Sequence, residues 1–153
     1  MEIRIREYEP KDKKQVSKVN NKTLEINFKS LYDIFHRKHA DLFLVAEKPS
    51  SKKIIGFIMV SLTKRFEDRI TGLIYAIAIN PDFQGHGIGK KLINAVLERL
   101  KRRKVPSLYL HVKESNEQAI FFYENLGFEK IDYVEEFYSW GEDAWRMVLK
   151  LNV

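Results

Sequence analysis

Apolar residues along this chain keep two different spacings, and the switches between them mark out the elements. Glu2 to Tyr8 alternates, with Ile3 and Ile5 on one side, as a strand against a sheet core requires. Pro10 and Asp12 predict a turn and then a helix start, because proline lacks a donor and aspartate caps free amides. Helical stretches are expected from about Lys13 to Asn21 and from about Lys29 to Lys38, with irregular chain from Thr23 to Phe28 between them. Leu42 to Ala46 reads as a short apolar strand, and Pro49 with two serines predicts a hairpin turn over Lys48 to Lys53. Strands are expected over Ile54 to Thr63 and Leu73 to Ile79.

Helical spacing returns at Ile88 to Arg103, carried by Leu92, Ile93, Val96, Leu97 and Leu100. Pro106 ends it, and Leu108 to Val112 alternates as a strand. Asn116 to Leu126 is helical, with Asn116 a candidate N-cap and Gly127 a natural left-handed C-cap. Strands over about Lys130 to Tyr138 and Ala144 to Leu151 complete the chain. No repeat or interdomain linker interrupts the pattern. The expectation is one domain over residues 1–153, of mixed α+β class. Its largely antiparallel sheet of about seven strands is flanked by about four helices.

Composition narrows the function. A hydrophobic fraction of 44% and an aromatic fraction of 12% suit a packed globular core. No apolar run approaches the roughly 18 residues that cross a bilayer, and a charge at every second N-terminal residue does not read as a signal peptide. A cytoplasmic protein without membrane association is expected. There is no cysteine, which removes disulfides, thiolate metal sites and any cysteine nucleophile. The formal net charge of +6 suits a polyanionic partner, whether nucleic acid, ribosome or phosphate-rich cofactor, without choosing among them. The run from Arg99 to Lys104 reads first as a solvated helix end, where cations suit the helix dipole, and alternatively as a docking patch. His36 and His39 share a helix face without a third ligand, so no metal is assigned.

The stretch with the clearest chemistry is Asn80 to Lys90, between a strand and a helix. Its glycines allow backbone N–H groups to turn inward, and the helix start adds positive potential, so a phosphate fits there. A plain tight turn that binds nothing would need the same residues. Two better-known phosphate loops are excluded. Lys90 is followed by Lys91, not by Ser or Thr, and Gly85, Gly87 and Gly89 run G-x-G-x-G, not G-x-G-x-x-G.

What remains is Gln-x-x-Gly-x-Gly, spelled by Gln84, Gly87 and Gly89. It resembles the acetyl-CoA loop of the GNAT superfamily, the Gcn5-related N-acetyltransferases. Leu110, Val112, Asn116, Ala119, Phe122-Tyr123 and Gly127-Phe128 are similar to that family's second signature, in the right order. The resemblance implies acetyl-CoA as cofactor. Gln84, Gly85, His86, Gly87, Ile88, Gly89 and Lys90 would hold its phosphates. The backbone of Ile77, Ala78 and Ile79 would pair with pantetheine, and Asn116 would also contact the cofactor.

Acyl transfer from a thioester needs a neutral amine, a held carbonyl oxygen and a proton for the departing thiolate. On composition alone Tyr123 reads as a core aromatic beside Phe121 and Phe122; the resemblance makes it the general acid beside the cofactor. His111 alternates away from Leu110 and Val112 and is the candidate base on the strength of an ordinary pKa near 6.5; a structural histidine is the other reading. Phe137 to Ala144 resembles a hairpin of the RimI-like and archaeal or eukaryotic N-terminal acetyltransferases, which implies Tyr138 beside a peptide acceptor. Leu24 to Phe28 is similar to that branch's L-P-E-N-Y loop, and assigns Glu25 and Phe28 to the acceptor side. It lacks the proline, and Ile26 stands in the glutamate's place with Glu25 one residue early.

The function implied is transfer of acetyl to the α-amine of a protein N-terminus, with ribosome proximity as a further expectation. Transfer to a polyamine, an aminoglycoside or a lysine side chain is the alternative reading, and a noncatalytic binding module is a third. No basic-aromatic RNA motif is present, so a direct nucleic-acid function is not expected. A monomer or weak dimer is expected.

Overall fold

The computed structural model describes all 153 residues. Seven strands form one sheet: β1 (Arg4–Glu7), β2 (Phe43–Lys48), β3 (Lys53–Thr63), β4 (Thr71–Ile79), β5 (Ser107–Lys113), β6 (Glu129–Val134) and β7 (Ala144–Lys150). Their order is β1-β2-β3-β4-β5-β7-β6. Every neighbouring pair is antiparallel except β4 and β5, which are parallel. A parallel pair needs a crossover, and α3 (Ile88–Arg102) supplies it.

Helices cover both faces. Leu92, Ile93, Val96 and Leu100 of α3 pack with Ile120 and Tyr123 of α4 (Glu117–Asn125) over Leu44, Ile58, Leu108 and Leu110. On the other face Val16 and Val19 of α1 (Lys13–Thr23) and Tyr32 and Phe35 of α2 (Tyr32–Lys38) cover Phe43, Phe57, Met59 and Ala76. β2 is buried on both sides, so its run of apolar residues never alternates.

Between β3 and β4 the register slips, with Met59 opposite Ala76 and Val60 opposite Ile74. Tyr75 is the extra residue of this bulge. It joins Ala76 on the α1–α2 side, where its ring meets Phe35 at 5.1 Å.

Three expectations are corrected. The second helix is α-helical only from Tyr32; Lys29–Leu31 is a 3-10 turn. β6 stops at Val134, because Glu136 takes a positive φ of 48° that breaks the pleat. The Glu136 amide then donates to Asp143 at 2.8 Å and fixes the hairpin loop. Asp12 stands at the start of α1 but does not cap it with its side chain. Its carboxylate accepts from Arg6 at 2.8 and 2.9 Å and from the Glu9 amide at 2.9 Å, so the preceding 3-10 turn is capped instead. Arg6 also reaches Glu47 at 3.2 Å, tying β1, the turn and β2 together.

This network gives stability a defined acid limit. Burial raises the Asp12 carboxyl pKa, but the Arg6 and Glu9 hydrogen bonds outweigh it and leave it below the usual value. A lowered folded-state pKa contributes stability above the unfolded value of about 3.9 and loses it as pH falls through the folded value. Denaturant midpoints should therefore fall as the wild type is acidified through and below about pH 4. Asp12→Asn should start less stable at neutral pH and show a shallower acid slope.

Candidate active site

β4 and β5 are hydrogen-bonded only at Gly72–Leu108 and Leu73–Tyr109. Beyond these pairs β4 runs on to Ile79 against β3 alone, and β5 runs on to Lys113 against β7 alone. The strands diverge into a wedge in the middle of the sheet. Backbone groups of Ile77, Ala78 and Ile79 therefore lie along an interior edge that has no partner strand on the β5 side.

The glycine loop lies at the end of this edge. Asn80 is buried and its side chain accepts from the Asp82 amide at 3.0 Å. The Gln84 side chain donates to the Ile79 carbonyl at 3.2 Å, tethering the loop to the end of β4. Gly85 and Gly87 take φ values of 83° and 75°, a left-handed conformation that L side chains resist. A Cβ at either position would meet nothing within 4 Å, so backbone conformation and not crowding demands glycine here.

The first amide with an intrahelical partner is that of Lys91, which donates to the Gly87 carbonyl at 3.1 Å. The six N–H groups from Gly85 through Lys90 have no backbone partner. A run of free amides opening a 15-residue helix is an anion cradle built entirely from main chain. Gly89 has another reason to be glycine. It lies inside α3, where a Cβ would come within 3.2 Å of the Phe122 ring of α4. That close crossing sets α4 beside the loop.

Asn116 begins α4 and its side chain accepts from the Ala119 amide at 3.1 Å, the N-cap that its residue type predicts. Its side-chain N–H groups remain uncommitted in the protein's hydrogen bonds. Gly127 ends the helix with φ 100°. The Phe128 amide reaches the Tyr123 carbonyl at 3.1 Å and the Gly127 amide reaches Glu124 at 3.0 Å, a Schellman arrangement that fixes the turn holding Tyr123. Tyr123 is buried edge-on to Phe122 and Phe128. Burial pushes its phenol pKa well above the usual value, and neighbouring Tyr138 adds to the shift. The phenol is thus held protonated.

On the α1–α2 side of the wedge, His111 stacks on Phe137 at 4.2 Å. Its Nε2 accepts from Arg146 Nε at 3.2 Å, which places the proton of the neutral ring on Nδ1. The expected pKa near 6.5 does not hold. Burial, then Arg146 and Arg65, push it down to about 4. Arg146 in turn pairs with Asp132 at 2.8 Å and lies over the Phe66 ring at 4.7 Å.

Glu25 and Tyr138 lie near one another through a residue that sequence patterns did not single out, Lys113. Lys113 pairs with Glu25 of the loop between α1 and α2, approaches Glu142 of the β6–β7 loop at 3.8 Å, and sits 5.4 Å from the Trp140 ring. Tyr138 stacks on Trp140 at 4.9 Å, and burial, then Glu142, push its pKa up to about 12. Phe28 is held differently. Buried Asn20 accepts from the Phe28 amide at 3.1 Å and from the Tyr32 hydroxyl at 3.1 Å while donating to the Ile26 carbonyl at 2.7 Å. Asn20 therefore sets the shape of the α1–α2 loop. Its only sequence signal is a polar residue at helical spacing beside Val16 and Val19.

A splayed parallel pair with a free-amide loop at its mouth and a protonated tyrosine on the following helix defines an acyl-carrier site. Residues 4–128 match the Acetyltransferase (GNAT) family. The chain is 30% identical to an N-alpha-acetyltransferase of Sulfurisphaera tokodaii, over 98% of this chain and 94% of that protein. It is 31% identical to the [ribosomal protein bS18]-alanine N-acetyltransferase of Haemophilus influenzae, over 73% of this chain and 82% of that one. Among solved structures, Ard1 from Thermoplasma volcanium superposes with a TM-score of 0.89 and 25% identity, covering 100% of both chains. The chain belongs to the GNAT acetyltransferase family, acyltransferases whose donor is acetyl-CoA.

Gly87→Val should retain the fold, because the added side chain meets open space, yet lose much of the cradle. Left-handed backbone costs a β-branched residue at least about 1–2 kcal/mol, and relaxing it redirects the amides. Calorimetry should show CoA affinity reduced by at least about tenfold with the thermal midpoint shifted only a few degrees.

Proposed function

We propose that this protein acetylates the α-amino group of protein or peptide N-termini, using the wedge between β4 and β5 as its reaction site. The observation that carries this reading is the wedge itself, open to a free-amide loop on one side and bordered by the α1–α2 and β6–β7 loops on the other. Acetyl-CoA, when bound, supplies an acyl thioester. Amides from Gly85 to Lys90 would hold its diphosphate, and the interior edge of β4 at Ile77, Ala78 and Ile79 would pair with its pantetheine arm. The Asn116 side chain would donate to its pantetheine or phosphate portion. Tyr123 keeps its proton at neutral pH and would give it to the sulfur as the amine nitrogen bonds to the acyl carbon and the carbon–sulfur bond breaks. The proton shed by the new amide would return to the phenolate.

The acceptor approaches from the opposite face, past Tyr138, Glu25 and Phe28. Names of the relatives support a protein N-terminus as acceptor, and amine chemistry agrees. About a tenth of an α-amine is neutral at pH 7, against under a thousandth of a lysine. With its Nε2 taken by Arg146 and its pKa near 4, His111 is a weak base, and the amine enters already neutral. His111 then shapes the acceptor face more than it removes the proton. We place the protein in the cytoplasm as a monomer or weak dimer, near ribosomes where new N-termini appear. No helix is long and apolar enough to cross a membrane.

Incubation with acetyl-CoA and peptides differing at their first two residues should release CoA and label the α-amine by mass spectrometry. Labelling of polyamines alone would overturn the assignment. Tyr123→Phe should lower kcat by about 10²–10⁴, the usual contribution of one acid–base group. In a pH profile, kcat/KM should climb toward the acceptor's own pKa of about 8 without an inflection near 6.5. His111→Gln should cost less than Tyr123→Phe; an equal loss would restore His111 as the base.

A further inference from the structure

Beside the acceptor face, a groove of about 250 Å³ runs between α2, the end of β3 and the middle of β4. Ile34, Phe35, Leu62 and Tyr75 line its apolar part, and Lys38 and Arg65 stand at its rim. Tyr75 reaches the groove because the bulge against Met59 and Val60 turns it to this side. Ile34 and Tyr75 leave 37% and 36% of their surface to solvent, so the floor is uncovered.

The rim has an uneven charge. Asp33 of α2 is taken by Lys13 at 3.7 Å, and Asp41 beyond it by Arg103 at 2.8 Å. Neither Lys38 nor Arg65 has a carboxylate within ion-pair distance. Arg65 is nonetheless held: its amide donates to the Thr63 hydroxyl at 3.1 Å and its guanidinium lies 5.7 Å from the Phe66 ring. That same ring is 5.8 Å from His111, so Arg65 at the groove's rim and His111 at the wedge share one aromatic neighbour. Arg146, the other cation at Phe66, is already neutralised by Asp132.

We propose that this groove binds the acceptor polypeptide beyond its N-terminal residues and selects acidic side chains there, through Arg65 and Lys38 above an apolar floor. The inference rests on the N-terminal acetyltransferase reading and names a preference within it. The amine is delivered at the wedge while a carboxylate a few residues downstream pairs with the two uncommitted cations. Because the pairs are solvent-facing, each contributes modestly, and two together give a preference of about fivefold.

The test compares kcat/KM for matched peptides carrying glutamate, glutamine or lysine at positions three to six. Wild type should favour glutamate over glutamine by about fivefold, mainly through KM. The double variant Lys38→Gln/Arg65→Gln should bring that ratio close to one, and Lys38→Glu/Arg65→Glu should favour the lysine peptide. Taking the ratio of two peptides on one variant cancels any general loss of activity, including one transmitted to His111. Both side chains are exposed, so the substitutions leave the core untouched. A wild-type ratio of one, or a ratio unchanged in the glutamine variant, overturns the groove assignment while peptide acetylation stands. Acetylation of small amines with no peptide labelled overturns the N-terminal reading and this inference with it.

Discussion

The parting of β4 and β5 is the constraint on which the molecule is organised. Two parallel strands that stayed paired would satisfy each other's backbone and leave nothing for a ligand. Here pairing stops after Leu73 and Tyr109, and each strand keeps only its outer neighbour. An interior strand edge in a soluble protein is costly unless something covers it. The fold tolerates it because α3 and α4 pack across one face of the gap and the bulged β4 is anchored to β3 along its whole length.

Once the gap exists, the same divergence positions everything around it. The loop leaving β4 leaves six amides without a backbone partner, and the helix leaving β5 carries Asn116 and Tyr123. Gly89 lets the two helices cross closely enough for these parts to share one site. The side carrying the glycine loop is therefore built largely from main chain and from groups held by packing. Its chemistry is neutral donors and one protonated phenol, suited to an anionic carrier and a departing thiolate.

The α1–α2 side of the wedge is built from charges instead. Lys113 bridges Glu25 and Glu142, linking two loops far apart in sequence, and Arg146 joins His111 to Asp132. These pairs are partly exposed, so each contributes little stability. Their effect is positional: they hold long side chains at the border of the wedge, while Arg65 and Lys38 nearby carry no carboxylate partner.

Much of this was determined by sequence alone. Helical and alternating spacing placed four helices and seven strands, and the Gln84–Gly87–Gly89 spacing with the stretch from Leu110 to Phe128 marked the family, because short-range patterns specify local backbone. Capping by Asn116 and termination at Gly127 were legible for the same reason. Only the tertiary structure decided the parting of β4 and β5, the use of Asp12 by Arg6, the ties through Asn20 and Lys113, and the low pKa of His111. Each of these depends on which distant group arrives beside a residue and how much water it displaces. Periodicity along a chain carries neither distance across the fold nor dielectric, so those facts appear only when the chain is packed.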